Sequence, residues 1–255
     1  MYSSAPMQSV LALTRSTIGQ KVVVAITGVI LFGFVIGHLL GNLILFAGPE
    51  AYNAYAAAIK GNPPLLWGTR ITLVVSVLLH IVFTMKLAAR NAGARSTAYK
   101  KPRKDLVATY AGRTMVLSGP LLAAYIIFHI AHFTAPGLDL GGDFDVHNVY
   151  ANAIQGFRVW WVSAIYMFAN FLLGLHLFHG AWSALQTVGL QHRRYDALRK
   201  QIAVGLALFI AIGNISIPVA VLVGVTGSAE QLAESRALTE ATEVAPAETP
   251  SSEDN

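Results

Sequence analysis

The 255-residue sequence contains no cysteine and few charges: 12% of its residues are Asp, Glu, Lys or Arg, against 55% hydrophobic. Without thiols there can be no structural disulfide, no thiolate-held iron–sulfur cluster or zinc site, and no covalently attached c-type haem. Any metal must be held by His, Met or carboxylate, or arrive inside a cofactor. The scarcity of charge and a mean hydropathy of +0.55 exclude an ordinary soluble domain. Carboxylates are also missing from every long apolar run. The net charge of +5 does not indicate nucleic acid, because the basic residues cluster beside those runs.

Five segments meet the roughly 17–25-residue requirement for an apolar membrane helix: residues 22–46, 65–89, 115–133, 160–186 and 202–225. The expected fold is therefore an all-α integral membrane protein with five transmembrane helices. Its domains would be a cytoplasmic segment 1–21, one membrane domain 22–226 and an acidic tail 227–255, rich in Ala, Glu, Ser, Thr and Pro and expected to stay solvated and flexible. The first run is too long for a signal peptide and lacks a cleavage site, and no transit pattern precedes it. A bacterial plasma membrane is the simplest location.

Basic residues set the expected orientation. All but Lys60, Arg70, Arg158 and Arg236 lie in the N-terminal segment or around the second and fourth loops. Those regions are read as cytoplasmic, with the first and third loops and the C-terminus outside. The second loop, NAGARSTAYKKPRKDLVATYAGR, offers a positive patch to lipid and to a partner protein alike. The first loop, GPEAYNAYAAAIKGNPP, reads as a short interfacial helix closed by Pro63 and Pro64. Residues 134–157 read as an acidic, Gly-rich loop with Asp139, Asp143 and Asp145.

Histidines are what the apolar runs do contain. An ionisable or ligating side chain inside a membrane is costly and normally faces the bundle interior with a partner. His38, His80, the pair His129/His132 and the pair His176/His179 lie on four different runs. At about 1.5 Å per residue, His38 and His129 lie roughly 24 and 21 Å from the cytoplasmic ends of their helices. His80 and His176 lie at roughly 14 and 15 Å, while His132 falls at ~26 Å and His179 at ~11 Å. One histidine alone would read as a polar bridge between helices. Four, matched in two depth layers, suit two bis-histidine haems held by the first four helices. A bare zinc site normally needs four protein ligands, or three and water. Depth alone leaves His129 against His132, and His176 against His179, open. Glycines 33, 37 and 41 give the first helix a small-residue face for a neighbouring backbone or a flat ring.

Three stretches, TGVILFGFVIGHLLGNLILFAGPEAYNAY, RTMVLSG and GLHLFHGAWSALQTVGL, resemble the cytochrome b subunit of succinate dehydrogenase/fumarate reductase in its single-chain, five-helix, di-haem form. The resemblance covers roughly residues 16–225. It implies two haem b groups, with His38 and His129 as axial ligands of the distal one and His80 and His176 of the proximal one. In related sequences the position of His179 can be Asn, which favours His176. The resemblance further implies a flavoprotein subunit that interconverts succinate and fumarate, an iron–sulfur subunit docked on the cytoplasmic face, and menaquinone or another quinone as electron partner. It leaves room for a higher oligomer of the whole complex. Glu50, Tyr52, Arg70 and His132 are candidates for an outer quinone site or the distal propionates, with Glu50 a possible proton acceptor. Arg113, Ser118, Ser183 and Gln186 are candidates for the proximal propionates or an inner quinone, and His179 for either role. Two other readings of the pattern are the di-haem anchor of a hydrogenase or formate dehydrogenase and a haem-free transporter or scaffold.

Overall fold

The structure is a computed structural model that describes residues 16–93, 110–134, 140, 144–187 and 193–244. Among these residues it is all-helical. The helices are α1 (Thr17–Leu43), α2 (Pro49–Lys60), α3 (Pro63–Gly93), α4 (Tyr110–Phe133), α5 (Val149–Arg158), α6 (Trp160–Thr187), α7 (Asp196–Leu222) and α8 (Ala229–Val244), with 3-10 turns at Ile44–Ala47 and Arg193–Tyr195. Helices α1, α3, α6 and α7 are long and apolar enough to cross a membrane; the apolar part of α4, Leu117–Phe133, is shorter. Their outward faces carry exposed Ile71, Val74 and Leu78 on α3 and Leu208, Phe209 and Ile212 on α7. Such a continuous apolar exterior suits lipid rather than water.

Helix starts follow local chemistry. Ser16 caps α1 by accepting the Gly19 N–H at 2.9 Å, and Asn62 accepts that of Leu65 at 3.1 Å at the start of α3. Pro63 stands in the first turn of α3. It therefore opens that helix, where its missing N–H costs nothing, as well as following the end of α2. Gly48, at φ 102°, turns the chain sharply into α2 in a conformation that favours glycine.

α1 packs along α3, α6 along α7 and α4 along α6, with α1 also touching α6 and α7. The short helices α2, α5 and α8 pack on one another at the end where α1, α4 and α7 finish. The apolar core concentrates there, around Leu45, Tyr150, Ile154, Phe157, Val162, Tyr166, Val221 and Leu232.

Two expectations are corrected at this end. Residues 149–157, read as part of the 134–157 loop, belong to α5, which Asn148 caps through the Ala151 N–H at 3.0 Å. The acidic tail, read as solvated and flexible, is helical over Ala229–Val244, and Leu232 and Ser235 are buried. A reciprocal capping box starts it: Gln231 N–H donates to Ser228 Oγ at 3.1 Å, and Gln231 Oε1 accepts the Ser228 N–H at 3.0 Å. Asn148 then joins three helices. Its Oδ1 accepts from the Ser235 hydroxyl at 2.5 Å and from Asn53 Nδ2 at 3.3 Å. Its Nδ2 donates to the Ser235 carbonyl at 3.1 Å. At the opposite end Arg199 pairs with Asp196 and lies over the Trp182 ring, 5.0 Å from its centroid, tying α7 to α6.

Candidate functional site: two facing histidine pairs

The interior between the long helices holds two histidine pairs. The rings of His38 on α1 and His129 on α4 have centroids 5.7 Å apart and are nearly perpendicular. Those of His80 on α3 and His176 on α6 are 6.4 Å apart, tilted by 58°. Neither α1 with α4 nor α3 with α6 is among the closely packed helix pairs. The rings therefore reach towards each other across gaps between helices that stand apart. A metal–imidazole bond is about 2 Å, so two imidazoles on opposite sides of one iron have centroids about 6 Å apart. Both pairs are near that separation.

The layers are well separated. His80 Nδ1 lies 3.2 Å from Thr27 Oγ1, placing that pair at the level of Thr27 on α1, eleven residues before His38. On α6, ten residues separate Tyr166, which touches His129, from His176. The two intervals give about 15–17 Å between layers.

Three features of the long helices fit a flat ligand with polar edges. Around the exposed Gly33 and Gly37 and the half-buried Gly119 and Gly180 an added Cβ would meet nothing within 4 Å, so these backbones admit a flat neighbour. α1 and α3 bury 11% of their apolar windows, against 33% for α6 and 28% for α7, so most of their apolar surface is left uncovered by the rest of the chain. His176 Nδ1, Ser118 Oγ and Thr84 Oγ1 are buried with no hydrogen-bond partner, and such atoms call for one. Ser118 lies eleven residues before His129 on α4, close to the same helical face. That spacing puts it level with the His80–His176 pair. Thr84 is one turn beyond His80 on α3.

The surroundings set ring tautomers. Thr27 Oγ1 lies 2.8 Å from the Val23 carbonyl and 3.2 Å from that of Val24, to which it donates. It therefore accepts from His80 Nδ1–H, leaving a lone pair on His80 Nε2. Tyr166, 3% exposed, lies with its hydroxyl 3.3 Å from His129 Nδ1 and 3.0 Å from His132 Nδ1. Nothing in the apolar run WWVSAIYMF distinguishes this tyrosine from a core or interfacial residue, so the sequence carries no signal for it. His38 stacks on Phe34 with centroids 5.3 Å apart.

The other candidates are dispersed. His132 is buried between Tyr166 and Phe133. His179 is half-buried one turn from His176. Tyr52 is buried and donates to Asn42 Oδ1 at 3.2 Å, anchoring α2 to the end of α1; burial, with Tyr55 nearby, pushes its hydroxyl up to about 12. Glu50 is exposed in the first turn of α2, where it complements the helix dipole. Arg70, ten residues before His80, stands at the level of the His38–His129 pair but is exposed, with its guanidinium 5.1 Å from the Trp67 ring centroid. Ser183 is exposed near the end of α6. The side chains of Arg113 and Gln186 lie outside the described residues, as do Asp139, Asp143 and most of the second loop. Among the described residues no three His, Asp or Glu side chains converge on one point. The chain matches no protein-family model, no curated protein and no solved structure.

Proposed function

We propose that the chain is the membrane-anchor cytochrome b subunit of a succinate:quinone oxidoreductase, with His38 and His129 holding an outer haem b and His80 and His176 an inner one. The observation that carries this reading is the pair of facing histidine couples, at 5.7 and 6.4 Å, on four separate helices. Bound there, the two groups would supply one-electron carriers stacked across the membrane; a single one would not bridge a core of about 30 Å.

The residues divide the work. His38, His129, His80 and His176 would supply the imidazole nitrogens that hold the two haem irons, and their burial among the helices would tune the electron-transfer chemistry that those groups bring. Thr27 fixes the tautomer of His80, as a partner on the outer nitrogen of a ligating histidine does. Ser118 and Thr84 offer hydroxyls to polar edges in the inner layer. α4 completes a five-span bundle. Its 24 residues extend about 36 Å, and the packing of α5 on α2 supports a path in which α4 returns the chain to the end from which α3 departs.

The flanking charges support N-terminus-inside insertion in a bacterial plasma membrane. The basic loops then face the cytoplasm, where an iron–sulfur subunit would dock and pass electrons from a flavoprotein subunit. Menaquinone or another quinone would meet the chain where a polar pocket reaches lipid. The deciding measurement is a reduced-minus-oxidised spectrum of the purified chain with a pyridine haemochrome count. Two b haems are expected, one lost in His38→Ala and one in His176→Ala, both retained in His179→Ala. A colourless chain refutes the reading.

A further inference from the structure

We propose that Tyr166 is a positioning residue that makes His129 the outer ligand and bars His132 from that role. The inference rests on the di-haem reading above. One phenolic hydroxyl lies within hydrogen-bond distance of Nδ1 on two histidines. It has a single proton, so when bridging both rings it donates to one and accepts from the other. If His129 Nδ1–H donates to Tyr166, the hydroxyl proton goes to His132 Nδ1. His129 then presents a bare Nε2 lone pair, while neutral His132 must carry its proton on Nε2. Reversing the hydroxyl reverses both tautomers. At any moment only one of the two neutral rings offers Nε2 to a metal.

The packing chooses between the two states. His129 faces His38 across the gap. His132 is turned away: its Cε1 and Nε2 lie so close to Gly156 that an added Cβ there would stand 2.8 Å from each. The phenol between them is held by Tyr125, Phe133 and Phe157, with ring centroids 5.3, 5.7 and 5.0 Å away. His132 thus acts as the acceptor that orients the hydroxyl. An O–H donating to His132 also makes the Tyr166 oxygen a better acceptor for His129 Nδ1–H. That raises the basicity of His129 as a ligand and favours the oxidised iron.

The test is a redox titration of both haems in the purified full-length chain, wild type and Tyr166→Phe, with a haemochrome count of each. The outer haem is identified as the one lost in His38→Ala. Tyr166→Phe is expected to retain two haems, with the outer midpoint potential raised and the inner one unchanged. An unchanged outer midpoint, or equal movement of both, overturns the proposal. His132→Gln and His129→Gln decide the matter independently should Tyr166→Phe not assemble: the first is expected to keep two haems and the second to lose one, and the reverse overturns the assignment. Absence of haem from the wild-type chain would instead refute the di-haem reading itself, before any variant is compared.

Discussion

Asn148→Ala removes the residue through which α2, α5 and α8 are joined. The side chain is 2% exposed. Its loss costs α5 its N-cap bond to the Ala151 N–H, typically about 1 kcal/mol. It also strands the hydroxyl of Ser235, which is fully buried and donates to Asn148 Oδ1; an unsatisfied buried donor costs about 1–3 kcal/mol. The Ser235 carbonyl keeps a bond from Thr239 Oγ1 at 3.0 Å and adds little. The sum is a destabilisation of roughly 2–4 kcal/mol, concentrated at the end where α2, α5 and α8 meet because none of the broken bonds involves α3, α6 or α7. Hydrogen exchange in detergent should therefore show residues 229–244 losing protection first, with the middle of α6 unaffected. Asn148→Asp keeps the acceptor oxygen but sets a second oxygen against the Ser235 carbonyl and buries a charge, so it should destabilise this end as well. A loss below about 1 kcal/mol with α8 still protected would refute the account of how this end is held.

Three further outcomes follow from the geometry. Gly156→Ala drives a Cβ into the His132 ring and should cost about 1–3 kcal/mol by overpacking, seen as a lower thermal midpoint. Thr27→Val keeps its shape but removes the hydroxyl paired with His80 Nδ1, leaving the Val24 carbonyl beside the ring; on the di-haem reading, retention of a haem at the His80–His176 pair during dilution or imidazole competition should weaken on the order of 10-fold. Tyr52 has its hydroxyl raised to about 12 by burial and then by Tyr55, against about 10 when unfolded. Its contribution is complete below pH 10 and is lost as the pH rises through 12, worth about 3 kcal/mol. Alkaline unfolding should therefore become less steep over that window in Tyr52→Phe.

The long helices are legible from hydropathy because lipid demands an unbroken apolar run, and each of the five predicted spans overlaps an observed helix. α5 and α8 escape the same reading. VYANAIQGFR is short and amphipathic and AEQLAESRALTEATEV is polar, and they owe their order to tertiary contacts rather than to apolar length. A local trace of each exists: Asn148 before VYA, and Ser228 three residues before Gln231. The facing of His38 with His129 and of His80 with His176 can be anticipated because rise per residue converts sequence position to depth. Depth carries no rotational information, so it cannot separate His129 from His132, three residues apart. The contact that distinguishes them comes from Tyr166 on another helix, and Gly156 registers as a turn residue until the His132 ring is seen against it.

The docking of α8 also sets an order of events in biogenesis. The ribosome delivers this segment after α2 and α5 have been released, so the seat formed by Asn53 and Asn148 waits for the last described helix to be synthesised. Until Ser235 reaches it, the amide of Asn148 lacks a main-chain acceptor and the seam between the two earlier helices is open to water. A chain halted before residue 229 would thus leave Asn53 and Asn148 without the hydrogen-bond partners that Ser235 supplies.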